Sequence, residues 1–143
     1  MFIKQLSVFV ENKPGRLSDI AATLESKQID IRALSIADTT DFGILRLIVN
    51  NPDEAEQLLK DAGFAVSLTQ VIAIGIEDKP GGLSKALKIL LDAQIGVEYM
   101  YAFISREGEK AYVILRVENN EKAIKVFSDN GIDLLKSSDI YSM

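Results

Sequence analysis

The chain has 143 residues, 48% of them hydrophobic and 26% charged, with a net charge of −5. Its mean hydropathy is +0.13 and its pI about 4.8. This is enough apolar material for a packed core, and the acidity argues against phosphate-backbone binding, which needs a basic surface. There is no cysteine and no histidine, which removes disulfides, thiol catalysis, thiolate metal sites and the commonest general base and metal ligand. No cofactor or metal is therefore expected. The N-terminus lacks a signal-peptide h-region and no apolar run approaches bilayer length, so the expected compartment is the cytoplasm and no membrane is expected as a partner.

In chain order, residues 2–10 alternate as a strand. Pro14 then opens a helix over 14–27, with Leu17, Ile20, Ala21 and Leu24 as one apolar stripe. A second strand over 32–37, a polar turn over 38–43 and a nearly continuous apolar strand over 44–49 follow. Asn51-Pro52-Asp53-Glu54 is a strong helix start, and Gly63 ends that helix before a strand over 64–68. The second half repeats the order: strand 71–76, helix 80–93, strand 97–104, strand 111–117, helix 120–130 and a strand from Ile132. Pro14 and Pro80 are 66 residues apart, Leu45 and Leu115 are 70 apart, and Gly63 and Gly131 are 68 apart. The pattern predicts an α+β chain of two tandem ferredoxin-like βαββαβ units, residues 1–69 and 70–143, each an antiparallel sheet with helices on one face.

The stretch Glu11-Asn12-Lys13-Pro14-Gly15-Arg16-Leu17-Ser18 returns as Glu77-Asp78-Lys79-Pro80-Gly81-Gly82-Leu83-Ser84. Each copy joins a strand to a helix, where outward N–H groups and the positive end of the helix dipole suit an anion. Glycine after proline removes a Cβ and lets a ligand approach the main chain. The structural alternative is that Pro-Gly only starts the helix.

With the preceding amide or acid, Pro-Gly-x-Leu, the amphipathic helix and the closing Gln28-Ile29-Asp30-Ile31 or Gln94-Ile95-Gly96-Val97, the sequence resembles the ACT domain family over its whole length, as two consecutive copies. The resemblance implies a non-catalytic regulatory protein that binds an amino acid at an interface between ACT-like domains, whose sheets join edge to edge into eight strands. It implicates Asn12, Pro14, Gly15 and Asp30, and in the second copy Asp78, Pro80, Gly81 and Leu83. An α-amino acid would place its carboxylate on helix N–H groups and its ammonium on acceptors such as Asp78, Asp30 or Asn12. Gly96 stands where the first copy has Asp30, so this second position offers no side-chain acceptor of its own.

Tyr99, Tyr101 and Phe103 share one face of a strand, while Met100, Ala102 and Ile104 occupy the other. That two-sided apolarity suggests a cover, most simply a homodimer. Base stacking, as in the RNA-recognition fold of the same strand order, is disfavoured by charge. Arg46 and Arg116 read as salt-bridge or rim residues, and Arg16 as a solvated helix residue. An acylphosphatase-like enzyme fails because Arg16 has no counterpart at Gly82, and a carboxylate enzyme using Asp30 and Asp78 has little support. The competing reading is an interaction module that regulates a partner enzyme without a ligand of its own.

Overall fold

The computed structural model describes residues 2–38, 41–103 and 109–142. The expected strand position Ile104, and Thr39 and Thr40 of the expected polar turn, lie outside the described residues. The elements are β1 (Ile3–Glu11), α1 (Arg16–Glu25), β2 (Ile31–Asp38), β3 (Phe42–Val49), α2 (Pro52–Asp61), β4 (Ala65–Glu77), α3 (Gly82–Asp92), β5 (Val97–Phe103), β6 (Lys110–Val117), α4 (Asn120–Asp129), β7 (Asp133–Leu134) and α5 (Ser137–Tyr141). The chain forms two compact units, one built from Lys4–Thr69 and one from Gln70–Tyr141 together with Ile3.

In the first unit the strand order is β2-β3-β1-β4. β1 and β3 are antiparallel, with Leu6 opposite Leu47 and Val8 opposite Leu45. Period-two alternation sends Leu6, Val8, Val10, Leu45, Leu47 and Val49 to the helix side, where they meet Ile20 and Leu24 of α1 and Ala55 and Leu59 of α2 in one core. The opposite face is more polar. Gln5 is fully buried there, and its amide donates to Ser7 Oγ at 3.2 Å.

The second unit repeats this plan with β4, β6 and β5 in that order and β7 on the other side of β4. Ile72, Ile74, Ile76, Val113, Leu115 and Val117 pack against Ala86 and Leu90 of α3 and Ala123 and Phe127 of α4. Tyr99, Tyr101 and Phe103 do share one face, opposite Arg116, Ile114 and Tyr112, and Phe103 stacks on Tyr112 at 5.5 Å. On that same face Val71, Ala73 and Ile114 are already buried within the single chain, which weakens the argument that a second copy must cover it.

Several element bounds differ from the sequence expectation. The strands expected at 64–68 and 71–76 are one 13-residue strand, β4, because no glycine, proline or turn-forming pair interrupts Leu68-Thr69-Gln70-Val71. The last strand is only two residues long. The chain leaves it for the short helix α5, whose Ile140 is fully buried; Lys136 N–H bonded to Asp139 Oδ2 at 2.8 Å starts that turn. Both helices after the Pro-Gly turns begin two residues later than expected.

All four long helices end alike. Gln28, Gly63, Gln94 and Gly131 all have positive φ, and Ile29, Phe64, Ile95 and Ile132 donate back to Leu24, Leu59, Leu90 and Phe127 at 2.9–3.0 Å. These are Schellman endings, normally assigned to glycine at the left-handed position.

Candidate functional site

Pro14 and Pro80 lie outside their helices, contrary to the expectation that they open the first turn. Lys13-Pro14-Gly15-Arg16 is a β-turn in which Arg16 N–H returns to the Lys13 carbonyl at 3.4 Å, and Lys79-Pro80-Gly81-Gly82 closes the same way at 3.1 Å. Gly15 has φ 87° and ψ −9°, and Gly81 has φ 92° and ψ −15°. Proline at the second place and a positive-φ glycine at the third define a type II turn. Within the chain itself, the demand on these glycines is therefore one of backbone conformation. A Cβ built on either would meet nothing within 4 Å.

The turn sets each helix start. Gly15 and Gly81 are the N-caps, neither makes a side-chain capping bond, and the first intrahelical bonds are Asp19 N–H to Gly15 O at 2.9 Å and Lys85 N–H to Gly81 O at 3.0 Å. The N–H groups of Leu17 and Ser18, and of Leu83 and Ser84, therefore precede the helical ladder and project at the positive end of the dipole.

Asn12 N–H bonds the Asp41 carbonyl at 3.1 Å, and Asp78 N–H bonds the Glu109 carbonyl at 2.8 Å. These bonds tie each turn to the neighbouring hairpin. A shallow concavity of about 290 Å³ lies beside the first turn, lined by Glu11, Asn12, Lys13, Asp41 and Phe42. Lys13 Nζ is 2.9 Å from Glu11 Oε2, and Lys79 Nζ is 2.7 Å from Glu77 Oε2. Hydrogen bonding to these lysines and their charge hold Glu11 and Glu77 below the usual carboxylate value. The cation beside each turn is therefore already occupied by an acid two residues upstream.

The Arg16–Gly82 asymmetry has a steric origin. The Glu77 carbonyl oxygen occupies the place of a Cβ on Gly82, so the tighter second turn admits no side chain there. The wider first turn carries Arg16, 3.9 Å from Glu11 Oε2. Leu83 is half-buried against the second core, a packing role, whereas the matching Leu17 is 48% exposed.

Asp30 is not beside Asn12 and Gly15. The ten residues of α1 separate them by about 15 Å, at 1.5 Å per residue. Asp30 instead lines a second concavity of about 600 Å³ with Ala21, Leu24, Glu25, Gln28, Ile29 and Ile31. Its carboxylate is 2.7 Å from Arg32, its N–H donates to Asn50 Oδ1 at 3.0 Å, and Asn50 N–H returns to its carbonyl at 3.2 Å. Asn50 has no local motif around it and was not a candidate from sequence. Arg116 pairs with Glu98 at 3.0 Å and donates to the Gln70 carbonyl, in keeping with the salt-bridge reading. Among the described residues no acidic cluster is arranged to hold a metal, and no helix is long and apolar enough to cross a membrane.

The geometry is that of paired strand-turn-helix units, and comparison with known proteins decides the family. The model of the ACT domain pair matches residues 1–143. The chain belongs to the ACT domain pair family. A Bacteroides thetaiotaomicron protein of known structure is 43% identical, with TM-score 0.95, and the match covers 100% of this chain and 98% of that one. The ligand-free regulatory subunit of aspartate kinase from Thermus thermophilus shares the fold, with TM-score 0.64 at 14% identity, covering 88% of this chain and 91% of that one. Aspartate kinase from Synechocystis has TM-score 0.60 at 20% identity, with 93% of this ACT domain pair aligned to 26% of that chain. No curated protein matches the sequence.

Proposed function

We propose that this ACT domain pair is a non-catalytic regulatory protein that binds an amino acid at its Pro-Gly turns. The observation that carries the reading is the pair of type II turns, each delivering an uncapped helix N-terminus with two projecting N–H groups. A ligand carboxylate fits those donors. Its ammonium requires an acceptor, and the exposed Asp78 supplies one beside the second turn. Asn12 takes the same place in the first, whereas Asp30, about 15 Å away past the far end of α1, is out of reach of a ligand seated on that turn. The likeness to the regulatory subunit of an aspartate kinase supports a regulatory role by fold alone. The same reading places the protein in the cytoplasm, as a homodimer that biases a partner enzyme when ligand stabilises one arrangement.

The test is a thermal-shift series on the purified chain with each of the twenty amino acids and with the matching 2-hydroxy acids, which lack the ammonium. A ligand that binds only the folded state stabilises it by RT ln(1 + [L]/Kd), about 2.7 kcal/mol at a hundredfold excess over Kd. A rise for one amino acid, absent for its hydroxy acid and reduced by Asp78→Ala, is the expected result. No rise in folded, ligand-free protein would sink the reading. One observation favours a second reading in that event: Phe9 and Phe42 are 55% and 52% exposed on one face of the first unit, an apolar pair suited to a protein partner.

A further inference from the structure

β2 stands at one end of its sheet, with β3 as its neighbour, and among the described residues no strand pairs with its outer edge. Such an edge offers unpaired N–H and C=O groups to another strand, and folded chains commonly block it with lysine, proline or an inward charge. Ala33-Leu34-Ser35-Ile36-Ala37 carries none of these. Leu34 and Ile36 lie opposite Leu47 and Leu45, which are core residues on the helix side. Yet Leu34 and Ile36 are 56% and 49% exposed. Helix packing stops short of this strand, so two aliphatic side chains are bare beside a bare backbone edge. The only charges on the strand stand near its ends, Arg32 and Asp38.

We propose that two copies of this chain join through β2, antiparallel about a two-fold axis at Ser35. This deepens the homodimer of the reading above and rests on that part of it. The strand is its own complement in this register. Arg32 faces Asp38 of the second copy, Leu34 faces its Ile36 and Ala33 its Ala37, and each pair occurs twice by symmetry. Moving the axis by two positions on the strand keeps the side chains on their faces but spoils the match. Centred on Leu34, the pairing sets Arg32 against Ile36; centred on Ile36, it sets Asp38 against Leu34. The other free edge is β5. Its one charge, Glu98, finds no cation on a second β5, and pairing β2 with β5 so that Ile36 meets Met100 sets Asp38 against Glu98. Charge complementarity therefore selects β2 against itself. Arg32 also pairs with Asp30 at 2.7 Å, so in the dimer it stands between two carboxylates, one from each copy.

The chain has no cysteine, so a single introduced thiol tests the axis. On mild oxidation of the folded full chain, Ser35→Cys should form a disulfide between copies, since residues directly opposite in an antiparallel pair have Cα atoms about 4.5–5.5 Å apart. Ala37→Cys should not, because its two copies are about 14 Å apart along the strands. Sedimentation equilibrium gives the energetic readout. Asp38→Arg should raise the dimer dissociation constant about tenfold or more, and Arg32→Asp/Asp38→Arg should restore it, which a defect in folding would not allow. Leu34→Lys/Ile36→Lys, at positions exposed in the single chain, should give monomer with an unchanged circular dichroism spectrum. A dimer that survives this double change and does not cross-link through Ser35→Cys overturns the proposal and leaves the homodimer to another surface. A wild-type chain that stays monomeric overturns both, while amino-acid binding is judged separately by the thermal-shift series.

Discussion

Replacing Gly15 by alanine separates two explanations of the repeated Pro-Gly. If the glycine serves the backbone, the cost appears in the ligand-free protein. A residue with a Cβ held in the left-handed region loses roughly 1–2 kcal/mol relative to its preferred conformation. At Gly15, with φ 87°, the added Cβ meets nothing within 4 Å, so no steric cost adds to this. The expected loss is about 1–2 kcal/mol, read as a lower urea midpoint with unchanged m-value and a fall in Tm of about 2–8 °C per kcal/mol for domains of this size range. Gly15→Asn should recover part of the loss, because asparagine tolerates this region better than other side chains. Gly82→Ala should cost more than Gly15→Ala, since its Cβ would collide with the Glu77 main chain. If Gly15→Ala proves neutral in stability yet weakens ligand binding, the glycine serves ligand approach and the backbone argument is wrong.

Gln28→Gly and Gln94→Gly should each stabilise the protein by about 0.5–1 kcal/mol in chemical denaturation, because both glutamines sit at the left-handed helix end that glycine occupies at Gly63 and Gly131. Phe127→Ala, at a fully buried position, should cost about 3–5 kcal/mol, whereas Phe9→Ser at an exposed one should stay within about 0.5 kcal/mol. Glu77 should titrate by NMR below its ordinary 4.5, returning toward it in Lys79→Ala and in high salt. Because its folded pKa is depressed, the stabilisation is complete above about pH 4.5 and is lost as pH falls through the folded value. Lys79 is shifted up from 10.5, so its share is complete below that value and is lost as pH rises beyond it.

The helices and their faces were legible because the core is written in period: Leu24, Leu59, Leu90 and Phe127 each close a stripe on one helix side and all are essentially inaccessible. The repeat was legible from offsets of 66 to 70 residues between equivalent positions. What escaped were features that carry no periodic signal. Leu68 to Val71 gives no cue to a break or to its absence, since extended β-branched and polar residues suit either two strands or one. The two-residue β7 and the five-residue α5 are too short for a stripe, and Ile140 becomes a core residue only through the path of the chain. Pro-Gly was misassigned because proline at a helix start and proline at the second place of a type II turn have the same local sequence; the positive φ of the following glycine decides between them.

The site was half legible for a related reason. The turn residues are contiguous in sequence, so Asn12 to Gly15 and Asp78 to Gly81 can be found by reading along the chain. The pairing just past the first helix of each unit is not contiguous: Asn50 N–H bonds the carbonyl of Asp30, 20 residues earlier, and Glu118 N–H bonds that of Gly96, 22 residues earlier. Comparing Asp30 with Gly96 alone shows a carboxylate lost, whereas comparing the bonded pairs, Asp30 with Asn50 and Gly96 with Glu118, shows it moved to the partner strand. Each unit thus keeps one acid at this place. A position that looks degenerate when the copies are aligned residue by residue keeps a carboxylate in both once the hydrogen-bonded pair is taken as the unit of comparison. The two copies then differ in how each acid is counterbalanced, by Arg32 in the first and by no cation among the described residues in the second.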